Sequence, residues 1–252
     1  MARPSREFIN NEIYHVTLRR IGNELLFGDI DDYYRGIFYI YECNTTKPIT
    51  IRERRKARER FKQIVKSSTN QINEEPSWED ERDLLVEVLA FCLMPNHIHL
   101  LLRQLKDKGI SKYIQKIASG YPPYFKRKYQ IVLRGHFFQD RFHAVHIKND
   151  DYLRVVFTYI HTNPALLVEP EWKSKGVKEP EKVIELLEDY KWSSYQDYIG
   201  KKNFPSVTQR DFGLEVMGGV EGCREWVNNW IKYQGEVREA MEKLSHLSLD
   251  LT

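Results

Sequence analysis

The chain has 252 residues, a formal net charge of +3, 41% hydrophobic residues and 13% aromatic residues, enough for a full core with elements to spare. Cys43, Cys92 and Cys223 lie far apart and form no CxxC pair, which argues against a disulfide framework or a structural zinc site and suits a reducing compartment. The longest apolar stretch, 84–94, contains Glu87 and is too short to span a bilayer, and Met1-Ala2-Arg3-Pro4-Ser5-Arg6 leads into no apolar signal region, so a soluble cytoplasmic protein without membrane contact is expected.

In chain order, the pattern predicts a strand over 12–20 and a helical region from 30 to 70. An acidic loop with Pro76 follows over 73–83. Residues 85–93 and 97–103 are apolar runs joined by Met94-Pro95-Asn96, an antiparallel pair. A helix broken by Pro122 and Pro123 is expected over 109–129, then a strand across 138–148. Asn149 or Asp150 caps a helix that Pro164 stops, with Leu153, Val156, Phe157 and Ile160 as its core stripe. Further helices are expected over 179–189 and 221–247, the latter with Trp226, Trp230 and Tyr233 as a docking stripe. The order β-α-β-β-α-β-α predicts an α+β fold. Its sheet is a ferredoxin-like split βαβ antiparallel sheet with helices on one side, followed by a helical C-terminal appendage.

His97-Ile98-His99 carries the clearest chemical signal. Side chains two apart on a strand share a face, so both imidazoles can meet one ligand. Two buried imidazoles are unfavourable without a polar partner, and a metal ion is the simplest one. Two satisfied histidines at a strand end are the alternative. Tyr159 and Asn163 lie one helical turn apart, flanking the core stripe. A phenol nucleophile and an amide oxygen ligand beside two histidines would make a phosphoryl-transfer site. A rim tyrosine and a helix-stop asparagine would explain the same residues.

The sequence resembles the single-tyrosine HUH transposases, including the REP-associated tyrosine transposases. The matching stretches begin with Tyr14-His15-Val16-Thr17 and Arg19-Arg20, then Phe91 to Leu102 around the two histidines. Tyr124-Phe125-Lys126-Arg127-Lys128-Tyr129 and Gly135-His136-Phe137-Phe138-Gln139-Asp140-Arg141-Phe142 follow. Tyr159-Ile160-His161-Thr162-Asn163-Pro164 and Trp192-Ser193-Ser194-Tyr195 complete the series. Phe138 and Lys126 depart from residues frequent in relatives, and Pro122-Pro123 interrupts the long helix the family has there. The resemblance implies a transposase domain over 8–200 with 44–83 enlarged, leaving 201–252 as an appendage of unknown role.

It further implies Tyr159 as nucleophile, with His97, His99 and Asn163 as ligands of Mg²⁺ or Mn²⁺. The activity implied is nicking and strand transfer of single-stranded DNA at hairpin-containing ends, through a 5′-phosphotyrosine intermediate. A homodimer with the tyrosine supplied in cis or in trans is compatible with it.

Charge is clustered. Residues 47–70 hold nine Lys/Arg against two Glu, and 103–148 hold eleven against two Asp. In the second stretch aromatics interleave with cations, so Tyr124 and Tyr129 are candidates for stacking on unpaired bases. Lys126, Arg127, Lys128 and Arg141 are candidates for phosphate contacts. Two rival functions remain at this point. One is a non-catalytic module of the same fold that grips DNA or RNA hairpins. The other is a zinc hydrolase using His-x-His, which Leu100-Leu101-Leu102 fits poorly because it supplies no further ligand.

Overall fold

A computed structural model describes residues 7–70, 80, 82–131, 135–139 and 142–233. Four strands, β1 (Ile13–Arg19), β2 (Val86–Met94), β3 (His97–Gln104) and β4 (His143–Ile147), form one sheet in the order β2-β3-β1-β4. Every neighbouring pair is antiparallel. This is the split βαβ arrangement that the order of elements predicts. The last strand is shorter than expected, because Phe138 makes only an isolated bridge to Arg20. Asp140, within the expected 138–148 strand, lies outside the described residues.

Helices α1 (Ile30–Glu42) and α3 (Gly109–Tyr129) cover one face. Their Ile37, Phe38 and Ile40, and Tyr113, Ile117, Tyr121 and Phe125, meet Val16, Leu18, Ile98, Leu100 and Leu102 of the strands. Helix α2 (Ile51–Asn70) packs against α1 through Phe61, whose ring lies 6.4 Å from Phe38. The acidic loop expected over 73–83 falls mostly outside the described residues.

The other face is covered as well, which corrects the expectation of helices on one side. Helix α4 (Asp150–Thr162) lies on it, followed by α5 (Trp172–Lys175), α6 (Pro180–Asp189), α7 (Tyr195–Tyr198), α8 (Asp211–Met217) and α9 (Gly219–Lys232). A second core joins Ala90, Cys92, Met94 and Leu101 to Val156, Ile160, Leu187, Val227 and Ile231. The physical reason is in the strands: β2 is a nearly unbroken apolar run and β3 carries Leu100-Leu101-Leu102, so apolar side chains on both faces demand cover. A bulge at Leu89 lets β2 serve both cores, with Val88 and Phe91 on one side and Leu89 and Ala90 on the other. Residues through Ile231 are thus built into the domain's second core, and 234–252 lie outside the described residues.

Two further expectations are corrected. Helix α3 runs unbroken through Pro122 and Pro123. A proline inside a helix costs about 3 kcal/mol. Burying one large apolar side chain contributes about 1.5–3 kcal/mol, and Tyr113, Ile114, Ile117, Tyr121 and Phe125 all lie on the buried stripe. Gly120, just before the prolines, lets the Tyr39 ring approach; a Cβ there would stand 2.5 Å from that ring, and Tyr39 Oη donates to Gly120 O at 2.8 Å. On α9 the docking stripe is Cys223, Val227, Trp230 and Ile231, whereas Trp226 is 38% and Tyr233 58% exposed.

The Trp192 motif protects a sheet edge. Leu93 N–H donates to Trp192 O at 2.8 Å and Ser194 N–H to Phe91 O at 3.0 Å, alongside the otherwise open side of β2. No helix among the described residues is long and apolar enough to cross a membrane.

Candidate active site

Register fixes the site. Across the β1–β3 pair, Arg19 faces His97, Thr17 faces His99 and His15 faces Leu101. Residues directly opposite in antiparallel strands point to the same face. His15, Thr17 and Arg19 therefore line the same face as His97 and His99, the face beneath α4. His143 of β4 pairs with Thr17 and joins that row.

The imidazoles form a chain. His97 Nδ1–H donates to Asn96 Oδ1 at 2.6 Å, which leaves His97 Nε2 as a lone pair. That nitrogen stands 2.9 Å from His99 Nε2. His99 Nδ1 in turn lies 3.0 Å from His15 Nε2 and 3.3 Å from Thr17 Oγ1. Burial, with smaller effects from Arg19 and Lys173, drives His97 down to about 3. Burial, then His97 and His15, holds His99 well below the ordinary imidazole value. Burial and then His143 bring His15 to about 3. All three rings are neutral at physiological pH, the protonation state a metal ligand needs.

Helix α4 starts where Asn149 Oδ1 accepts from Tyr152 N–H at 2.8 Å. It is buried nearly all round, so Tyr159 is 4% and Asn163 1% exposed. The Tyr159 ring meets His99 edge-on with centroids 5.6 Å apart and His15 at 5.9 Å. Asn163 Nδ2 donates back to Tyr159 O at 2.7 Å, and its carbonyl oxygen accepts no hydrogen bond among the described residues. His161 points elsewhere, bonded to Ser194 Oγ at 2.8 Å. His146 pairs with Glu12 on the opposite face.

The structure adds Lys173 to this group. It sits on α5, held by its buried neighbour Trp172, and its Nζ lies 4.8 Å from the centre of the Tyr159 ring. Burial, and then Arg19, lower it to about 8. Nothing local in the sequence marks Lys173. The alternation His15-x-Thr17-x-Arg19 on a strand, by contrast, is a signal for one shared face.

The residues fit a divalent cation. Two cis ligands at about 2.1 Å from an octahedral ion stand about 3 Å apart, and the Nε2 pair is separated by 2.9 Å. Asn96 fixes one ring, and His15 with Thr17 can orient the other, the supporting bonds that metal-ligating histidines ordinarily have. Among the described residues no group of three or more His, Cys, Asp or Glu forms a metal cluster. Further ligands would have to be neutral oxygens, water or phosphate.

The residues proposed for base and phosphate contacts are partly committed elsewhere. Buried Asp32 accepts from Tyr124 Oη at 2.8 Å, Tyr129 Oη at 2.6 Å and Lys128 Nζ at 2.8 Å. Those three side chains knit α3 to the start of α1. Lys126 is half-buried and Arg127 exposed on the last turn of α3, while Arg141 lies outside the described residues.

A search of curated protein sequences gives no match. One solved structure, "Structure of the REP associates tyrosine transposase bound to a REP hairpin", aligns with 84% of this chain and 93% of its own at 15% identity, with a TM-score of 0.40. The family model described as "Transposase IS200 like" matches residues 49–163, a segment that contains His97, His99, Tyr159 and Asn163. Over residues 49–163 the chain is similar to the IS200-like transposases.

Proposed function

We propose that this protein nicks and rejoins single-stranded DNA at hairpin-containing ends, with Tyr159 as nucleophile and a divalent cation on His97, His99 and Asn163. One observation carries the proposal: the Tyr159 ring packs against His99, whose Nε2 converges with that of His97 at 2.9 Å. The hairpin substrate is what the sequence resemblance implies, and the aligned REP-associated transposase is itself bound to a REP hairpin.

A cation held there, Mg²⁺ or Mn²⁺, would polarise a non-bridging phosphoryl oxygen. The chain's own residues do the rest. Tyr159 Oη bonds to phosphorus as the P–O3′ bond breaks, and the phenolic proton ends on the departing 3′ oxygen. The 5′ phosphate stays on the tyrosine, and its ester bond retains the energy for rejoining to another 3′-hydroxyl. Burial of Tyr159 keeps water from hydrolysing that ester. Asn96, Thr17 and His15 hold the two liganding rings in place.

The test uses hairpin DNA from the flanks of the gene, labelled separately on either side of the nick, with Mn²⁺. Label 3′ of the nick should migrate with the protein, and the other fragment should carry a free 3′-hydroxyl. His97→Ala and His99→Ala should each abolish the adduct. Hairpin binding with no adduct under any metal would leave a binding module in place of the enzyme.

A further inference from the structure

We propose that Arg19 and Lys173 together form an anion subsite that holds the scissile phosphate against Tyr159, an inference that rests on the function proposed above. The two cations come from separate elements. Arg19 is the last residue of β1 and lies directly across from His97. Lys173 reaches in from α5, its Nζ 4.8 Å from the Tyr159 ring centre. Both are half-buried.

Among the described residues their surroundings contain no counter-charge. Some half-buried cations of this protein face carboxylates, as Arg103 does Glu87, Arg224 does Glu188 and Lys128 does Asp32, and others face carbonyls or rings, as Lys116 and Arg35 do. Among the described residues no carboxylate pairs with Arg19 or Lys173, and the rings beside them are those of His97 and Tyr159. Two like charges brought together in a partly desolvated site repel each other, a cost that a bound anion offsets. A diester phosphate is the anion whose chemistry fits the place. It carries one negative charge at rest and gains a second as the phenolic oxygen adds and before the 3′ oxygen leaves. Cations in position beforehand favour that second charge more than the first. No proton or electron need pass through either residue.

Lys173 is held firmly enough for this task. Trp172 is 2% exposed in the second core, and Gly176 N–H closes the short helix onto Trp172 O at 2.9 Å. The turn that follows is tied by Glu169, whose carboxylate accepts from the backbone N–H groups of Lys178 and Glu179.

Two measurements test the proposal. In the first, metal-free protein labelled at the lysine side chains is titrated with inorganic phosphate and the Lys173 resonance is followed by NMR. A saturable shift is expected, weakened at least ~10-fold in Arg19→Gln. No saturable shift at Lys173 overturns the subsite. In the second, adduct formation is timed with DNA carrying either an ordinary phosphodiester or an uncharged methylphosphonate at the scissile position. Lys173→Met should slow the ordinary substrate by about 10²-fold, the size typical of one lost transition-state contact. Lys173→Arg should restore most of the rate, and Lys175→Met, on the same helix, should leave it unchanged. On the methylphosphonate, where one negative charge develops instead of two, Lys173→Met should slow the reaction at least ~5-fold less than on the ordinary diester. Equal slowing on both substrates would mean a merely structural role and overturns the inference. Phosphate binding at Lys173 in a protein that forms no adduct would refute the nicking function while leaving the anion subsite standing.

Discussion

The Mn²⁺ affinity of this protein should hardly change between pH 8 and pH 6. Competition by protons is set by the imidazoles' own pKa values, and burial puts His97 at about 3 and His99 well below its ordinary value. Two histidines at the ordinary value near 6.5 would each be about three-quarters protonated at pH 6, weakening the site by roughly 20-fold. Here both rings are already deprotonated at pH 6, so the expected change is under about 2-fold. Free Mn²⁺ can be counted by electron paramagnetic resonance in titrations at the two pH values. Thermal melting supplies a second reading. An ion at 100 times its Kd stabilises the native state by about 2.7 kcal/mol, which for a chain of this size raises Tm by roughly 5–10 °C. His97→Ala and His99→Ala should each lose the shift. A 20-fold weakening at pH 6 would refute the buried, neutral histidine pair; a shift that survives both substitutions would put the ion elsewhere.

Other consequences concern stability. His15, His97 and His161 all have native pKa values of about 3, lowered chiefly by burial. Between 6.5 and 3 the unfolded chain takes up protons that the native state refuses. Their stabilisation is thus complete above about pH 6.5 and falls by about 1.4 kcal/mol per histidine per pH unit below it. Urea midpoints should drop steeply from pH 6.5 to 5; a flat profile would contradict the burial of these rings. Ser194→Ala strands Phe91 N–H, which donates to Ser194 Oγ at 3.0 Å, and the His161 Nε2 bonded to it at 2.8 Å. Two buried polar groups left unpaired cost about 2–5 kcal/mol, readable as a lower urea midpoint with unchanged slope; a loss under 0.5 kcal/mol, on the order of a surface change, would count against the edge-strand role. Asp32→Ala strands Tyr124 and Tyr129 and leaves Lys128 with Asp29 alone, and should destabilise by at least about 3 kcal/mol, while a substitution without effect in the same assay would free those side chains for DNA.

Local pattern carried much of this architecture. Alternation and the Met94-Pro95-Asn96 turn predict the β2–β3 hairpin, and with it the shared face of His97 and His99. The Asn149 cap and the stripe from Leu153 to Ile160 predict α4. What pattern alone missed depends on distant partners. Two prolines weaken α3 locally, yet the core it fills comes from strands and α1. Tyr124, Lys128 and Tyr129 look like a nucleic-acid surface until Asp32, over 90 residues earlier, is brought beneath them. Lys173 has no recognisable spacing to Tyr159, because a turn and a short helix set their separation in space. Cover on both sheet faces was written in the apolar run of β2 and in Leu100-Leu101-Leu102 of β3. The Trp226, Trp230 and Tyr233 spacing favoured large rings, of which Trp230 alone is buried, together with Val227 and Ile231.

The most direct test of the central claim is to map the covalent link. Wild type and Tyr159→Phe are incubated with hairpin-containing single-stranded DNA and Mn²⁺, digested with protease and nuclease, and analysed by mass spectrometry. A nucleotide phosphate on the peptide containing Tyr159, absent from Tyr159→Phe although that variant still binds the DNA, is the expected result. A phosphopeptide centred on any other tyrosine, or an undiminished adduct in Tyr159→Phe, would contradict it.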